Sequence, residues 1–215
     1  MARTGRPREF DVERALARAM DLFWARGYGE TSIQDLVDAL GVERGSLYAA
    51  FGDKRRFYLE AVKLYWAEYE RRLISGLAAG PVLPALREVL ATPAQLEVFA
   101  TDLGVPQGCM VGNTTAELVP HDGEAKEIVA QCNARFVEIV AEALRRGQAD
   151  GEIVATSSPE IQARMLLFLT QGLSLVSRAG ADVPTSLAAI DAAIDGLRAT
   201  HTPAPAARRQ VAVRP

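Results

Sequence analysis

From Val12 onward the apolar residues of this chain return every three or four positions, and the runs that carry this rhythm stop at glycines. That is the period of an α-helix. Val12, Leu16, Ala19 and Phe23 share one face, with Asp11 placed to cap the segment and Gly27 to end it. Thr31-Ser32-Ile33-Gln34-Asp35 supplies capping hydroxyls with polar partners three residues on. It opens a short helix whose apolar positions are Ile33, Leu36, Val37 and Leu40, ending at Gly41. Val42, Leu47, Tyr48 and Phe51 form a third set about two turns long, stopped by Gly52.

A longer stripe begins at Asp53 and carries Tyr58, Val62, Tyr65, Tyr69 and Leu73 to about Gly76. At 1.5 Å per residue it is a rod of roughly 36 Å. Shorter helices are expected over 85–90, 94–103 and 109–118, separated by Thr92-Pro93 and by the Gly104 to Gly108 stretch. Val129, Cys132, Phe136, Ile139 and Ala143 mark a helix over 123–146, closed by Gly147 and the Asp150-Gly151 turn. Ser158-Pro159-Glu160 starts another, in which Ile161, Met165, Phe168, Gly172 and Leu175 form one stripe and Leu166, Leu169, Leu173 and Val176 a second. A helix apolar nearly all round must be covered on more than one side. Only the helix carrying Leu187, Ile190, Ile194 and Leu197 follows, so the economical cover is a second copy. The reading predicts a homodimer through the last two helices. It also predicts a disordered tail from Thr202, rich in proline and arginine.

Composition narrows the function classes. Apolar residues make up 49% of the chain, charged residues 24% and aromatics 7%, a globular mixture in which alanine and leucine recur. Charges interrupt every apolar stretch before it reaches membrane-spanning length, and the first ten residues lack a secretory core. The chain therefore reads as cytoplasmic. Cys109 and Cys132 form no CxxC or Cys/His array, His121 and His201 stand apart from other metal-ligand types, and no cofactor pattern is present. The expectation is reduced thiols, no metal and no cofactor. Net charge is −3, but ten basic residues face nine acidic ones up to Arg56, and the first eight residues hold Arg3, Arg6 and Arg8 with no acid. That is a local basic arm on an acidic chain.

Residues 31–51 hold two short helices joined at Leu40-Gly41-Val42, the spacing of a helix-turn-helix. In that motif the second helix enters the major groove of DNA. Arg44, Gly45, Ser46 and Tyr48 then lie near its leading end, Thr31 and Ser32 start the supporting helix beside a phosphate, and Lys54 points the same way. The stretches GRPREF, LFWARGYGETSI and LGVERGSLYAAFGDKRRFY resemble the N-terminal domain of the TetR/AcrR family of transcriptional regulators, over residues 5 to about 60. The remainder, including Gly108-Cys109-Met110, Asn113-Thr114 and Glu117-Leu118, is similar to one subgroup's ligand-binding domain. Val37 stands where the family usually has alanine, which opens the helix crossing slightly, and the Glu43-Arg44 pair leaves the bases read undefined.

The resemblance implies an all-α protein in three parts: a DNA-binding helix-turn-helix domain with a basic arm over 1–52, a helical ligand-binding and dimerisation domain over 53–201, and a tail over 202–215. It implies a dimeric repressor holding two reading helices in successive major grooves of a palindromic operator, released when a small molecule shifts the long fourth helix. Arg3, Arg6, Arg44 and Lys54 in two copies give about eight phosphate contacts and a log K against log salt slope near −7.

The candidates for a mostly apolar pocket are Tyr65, Trp66, Tyr69, Phe99, Met110, Asn113, Phe136, Phe168 and Gln171. Cys109 follows Pro106-Gln107-Gly108 at the head of a helix, where backbone N–H groups activate a thiol. It reads either as a buried small residue or as a sensor of oxidants or electrophiles. Two other function classes compete. A small helical enzyme finds no GxSxG, P-loop, Rossmann, HExxH or ExxH pattern here. An architectural DNA binder has no use for so long a C-terminal part.

Overall fold

The computed structural model describes residues 11–96, 108–180 and 182–199, and those residues form nine helices. They are α1 (Val12–Arg26), α2 (Ile33–Leu40), α3 (Arg44–Phe51), α4 (Lys54–Leu77), α5 (Val82–Leu96), α6 (Met110–Glu117), α7 (Gly123–Ala149), α8 (Pro159–Arg178) and α9 (Val183–Asp195). The only strand-like feature among them is an isolated antiparallel bridge between Ile153 and Arg198. The expected basic arm, the helix over 94–103 beyond Leu96, Phe99, His201 and the tail from Thr202 lie outside the described residues.

Local chemistry sets the helix ends. The Asp11 carboxylate accepts from the Arg14 N–H at 3.0 Å, which starts α1. Ser32 caps α2 in a reciprocal box: its hydroxyl accepts from the Asp35 N–H while the Asp35 carboxylate accepts from the Ser32 N–H. Gly41 ends α2 at φ 65°, a left-handed conformation that turns the chain sharply into α3 and that only glycine adopts at little cost. Asp53, Asp122, Ser158 and Asp182 cap α4, α7, α8 and α9 in the same manner as Asp11.

Two apolar clusters fill the interior. One joins α1, α2, α3 and the first half of α4 to α6 and the start of α7. Phe23 stands at its centre, fully buried and edge-on to Phe57 and Tyr58 at 5.9 and 5.0 Å. The other joins the end of α4 to α5, the rest of α7, α8 and α9. Helix α4 belongs to both, and Trp66 packs against each. The loop after α7 closes the far end. The Glu152 carboxylate accepts from the Val82 and Leu83 N–H groups at 2.7 and 2.8 Å, and the Ala199 N–H donates to the Glu152 carbonyl at 2.9 Å.

Two expected helix ends are displaced. Helix α5 begins at Val82 and runs through Thr92-Pro93 as one element to Leu96, so Thr92-Pro93 does not separate two helices. Gly147 is interior to α7 rather than its stop. A Cβ there would meet Ile153 Cδ1 at 2.5 Å, so the glycine permits close packing of the returning loop, and the helix ends two residues later at Ala149.

Candidate functional site

Helix α3 buries a single residue, Leu47, and presents Arg44, Gly45, Tyr48 and Ala49 outward, with Ser46 half-buried. Phe51 stacks on Phe57 with ring centroids 3.8 Å apart, which ties the end of α3 to α4. The helix is therefore a tip held from behind, with its outer face open. Ser32 is exposed, but its hydroxyl is within the α2 capping box. Thr31 is fully buried and donates to the Gly27 carbonyl at 2.7 Å, so it shapes the α1–α2 loop from inside and presents no hydroxyl outward. Lys54 is half-buried. Its ammonium donates to the Tyr28 carbonyl at 2.8 Å and lies 4.2 Å from the centre of the Tyr28 ring.

A cavity of about 320 Å³ lies where α1, α4, α6, α7 and α8 meet. Helix α4 gives it Tyr65, Trp66, Tyr69 and Leu73; α7 gives Asn133 and Phe136; α8 gives Leu167, Thr170, Gln171 and Ser174. Gly108, Cys109 and Val111 form a further wall, and Met20 and Trp24 of α1 complete it. The lining is largely aromatic, with hydroxyl, amide and thiol groups set among the rings and with Glu68, Arg72 and Glu88 at its edge. This mixture suits a small, mainly apolar molecule held by a few polar contacts.

Polar contacts within this wall are directional. The Trp24 indole N–H donates to the Gly108 carbonyl at 3.1 Å, and the Trp24 ring meets Tyr65 edge-on at 4.9 Å. Gln171 Nε2 lies 3.8 Å from Cys109 Sγ. Burial pushes the Tyr65 and Tyr69 hydroxyls above their usual range, so both stay protonated donors at neutral pH.

Of the residues expected to line a pocket, Tyr65, Trp66, Tyr69, Cys109, Phe136 and Gln171 meet at this cavity. Three do not. Met110 is fully buried in the first core cluster, because the opening turn of α6 faces α4 and α7. Asn113 lies one turn further along α6 and is absent from the wall. Phe168 projects away from it with 70% of its surface exposed. On a helix apolar all round, spacing alone could not tell the inward face from the outward one. Sequence reasoning missed Trp24 and Met20, which lie outside the α1 stripe of Val12, Leu16, Ala19 and Phe23.

Contacts link the cavity wall to the α3 tip. The Gly29 N–H donates to the Glu117 carboxylate at 2.9 Å, clasping the α1–α2 loop to the last residue of α6. Gly27 takes φ +88°, a conformation that favours glycine, and a Cβ there would stand 2.6 Å from Glu117 Oε1 and push that carboxylate aside. Tyr58 and Thr114 share a buried hydroxyl bond of 3.0 Å between α4 and α6. Arg55, in the first turn of α4, makes a two-pronged contact with Asp122 at the cap of α7, at 2.5 and 2.7 Å, and reaches Glu124 at 2.9 Å. The Arg55 guanidinium, with help from the Ala125 N–H, pulls the Asp122 carboxyl down to about 2.

Comparison with known proteins bears on both parts. Residues 15–61 match the family model "Bacterial regulatory proteins, tetR family", and residues 85–202 match "Tetracyclin repressor-like, C-terminal domain". The HTH-type transcriptional repressor ComR of Escherichia coli (strain K12) is 32% identical over 83% of this chain and 85% of its own length. The HTH-type transcriptional repressor BdcR of the same organism is 34% identical over 59% of this chain and 62% of its own. Among solved structures, a cysteine mutant of the TetR family transcriptional regulator CifR, complexed with 26-base-pair operator DNA, superposes with a TM-score of 0.76 at 30% identity, covering 90% of this chain and 100% of that one. A regulator from Agrobacterium tumefaciens superposes at 0.78 with 22% identity, over 87% of this chain and 97% of that one, a likeness of fold.

Proposed function

Because the chain belongs to the TetR family of DNA-binding transcriptional regulators, we propose that it is a cytoplasmic, homodimeric repressor, not an enzyme, and that a small molecule in the α1–α4–α6–α7–α8 cavity releases it from a palindromic operator. The observation that carries the reading is the shared wall: the cavity is bounded by α1 and α4, helices that also hold the α3 tip in place.

In this reading residues 1–52 form the DNA-binding part, 53–201 the effector and dimerisation part and 202–215 a tail. Arg44, Gly45, Ser46 and Tyr48 face base edges and adjacent phosphates. Arg3 and Arg6 extend the contact from the arm, and Ser32 lies at the same face. Lys54 spends one donor on Tyr28 and keeps others for a phosphate, while Thr31 acts from within the loop. Trp66, Tyr69, Cys109, Phe136 and Gln171 contact the effector. The exposed apolar row Ile161, Met165, Phe168, Leu175 and Val176 on α8 is the face that meets a second copy.

Release needs only a modest coupling, of about 1–3 kcal/mol between the sites, which moves operator affinity about 5- to 150-fold. Helix α6 supplies a strut for it, with Cys109 at one end in the cavity wall and Glu117 at the other on the α1–α2 loop. The test selects bound DNA from random duplexes, then screens small neutral aromatic compounds for loss of that complex and for a raised melting temperature. Compounds that stabilise the protein and release the DNA support the reading. Stabilising compounds that leave DNA affinity unchanged contradict it.

A second reading keeps the same DNA machinery and makes Cys109 the sensor. It is favoured by the position of Cys109, a free, half-buried thiol in the cavity wall rather than in the core. Cys109→Ser then abolishes release by oxidants or electrophiles and preserves release by unreactive ligands.

A further inference from the structure

The wall that Trp24 contributes is unlike the others, because α1 belongs to the DNA-reading end of the molecule. Trp24 lies in the last turn of α1, and its indole N–H reaches the Gly108 carbonyl immediately before α6. That bond joins residues 84 apart in sequence. Three residues after Trp24 comes Gly27, whose carbonyl holds Thr31, and two further on is Gly29, held by Glu117. Both ends of α6 are thus tied to the same short stretch of the head.

The partner atoms differ in their freedom to move. Gly108 adopts φ +88°, and a Cβ built there would fall 2.9 Å from Arg178 and 3.0 Å from the Ser174 carbonyl oxygen. Its backbone is therefore backed against α8 and has little room to retreat from the cavity. Trp24 is half-buried and rests edge-on against Tyr65, a contact that tolerates sliding. A molecule entering the cavity meets Gly108, Cys109, Tyr65 and Trp24 together, and the indole is the group able to yield.

We infer that Trp24 is the residue through which cavity occupancy is felt by the reading head: a bound ligand breaks the Trp24–Gly108 hydrogen bond and loosens the end of α1 and the α1–α2 loop directly, without first moving α4. The inference rests on the cavity being the effector site. It makes Trp24 a positioning residue for α2 and α3 as well as a ligand contact. The ligands it suits are uncharged and flat, able to stack among Trp24, Tyr65, Trp66 and Tyr69.

The test uses N-phenyl-1-naphthylamine, a neutral fluorescent aromatic, with duplexes selected by the wild-type protein. Dye affinity and DNA affinity are measured for wild type and for Trp24→Phe, which keeps a ring but loses the N–H donor. The expected result is that the dye weakens wild-type DNA binding about fivefold or more. In Trp24→Phe, DNA binding is already weakened without dye, the dye still binds within about threefold of wild type, and it adds less than about a twofold further loss. An undiminished effect of dye on DNA binding in Trp24→Phe overturns the inference and leaves the effector reading standing. Dye that binds wild type without weakening its DNA complex, or no dye binding at all, overturns both. Should Trp24→Phe fail to fold, amide exchange in the wild type decides: dye must speed exchange over residues 24–29, and unchanged exchange there overturns the inference.

Discussion

Cys109 and Cys132 show how burial separates two chemically identical groups. Cys132 sits in the first core cluster, where burial pushes its thiol up to about 12, so at neutral pH it carries almost no reactive thiolate. Cys109 lines the cavity. Iodoacetamide should therefore label the native protein once, at Cys109, and the denatured protein twice, as read by mass spectrometry; native labelling of Cys132 would contradict the packing. Tyr48 and Lys54 separate in a different way. Tyr48 is exposed on α3, and Tyr48→Ala should change which sequences are bound. Lys54→Ala should weaken all sequences alike and flatten the log K against log salt slope by about one to two units per dimer. It should also lower the melting temperature, because the Tyr28 carbonyl loses its donor. The stripe of α1 marked Phe23 as core, and the structure encloses it completely; Phe23→Ala should cost about 3–5 kcal/mol in a denaturant titration. The structural burial of Thr31 had no signal in its neighbours, since a threonine before a capping serine reads equally well as exposed.

At the scale of elements, side chains near helix ends determined most of what could be read. Asp11, Ser32, Asp53, Asp122, Ser158 and Asp182 all cap helices, and each is a residue type with a local mechanism for doing so. Gly147 misled for the converse reason: it is a breaker by propensity, and tertiary packing overrides propensity where the returning loop comes close, while α5 simply continues through Pro93. The cross-element ties were not legible, because nothing in spacing brings Arg55 to Asp122 or Gly29 to Glu117. The Arg55–Asp122 tie has a pH signature. Asp122 titrates near 2 when folded against 3.8 as its ordinary value, so its contribution is present in full above about pH 4 and is lost as pH falls toward 2. Asp122→Asn should lower the melting temperature at pH 7 and reduce the difference between pH 5 and pH 2.5; an unaltered acid limb would contradict the tie. Glu117→Gln should leave the fold intact and weaken effector control, read as the ratio of DNA affinities with and without a releasing ligand.

For the whole molecule, the all-helical architecture, the helix-turn-helix and the need for cover on α8 followed from periodicity. The cavity wall followed only in part. Helix α8 is apolar on two faces; it turns Leu166 and Leu167 inward and leaves Ile161, Met165, Phe168, Leu175 and Val176 outward. Which face points where depends on the packing of α7, with α5 and α6, and that is information the α8 sequence does not contain. A charged residue in the outward row should separate two copies without disturbing the fold: Phe168→Glu should yield a folded single chain by analytical ultracentrifugation at micromolar concentration. The most direct test of the account is selection of bound sequences from random duplexes by the wild-type protein and by Phe168→Glu. The account predicts that the wild type enriches an inverted repeat with half-site centres about one helical turn or a whole multiple of it apart, roughly 34–36 Å per turn. It predicts that Phe168→Glu loses that enrichment. Enrichment of one unpaired half-site by the wild type, or of the same inverted repeat with equal strength by Phe168→Glu, would contradict it.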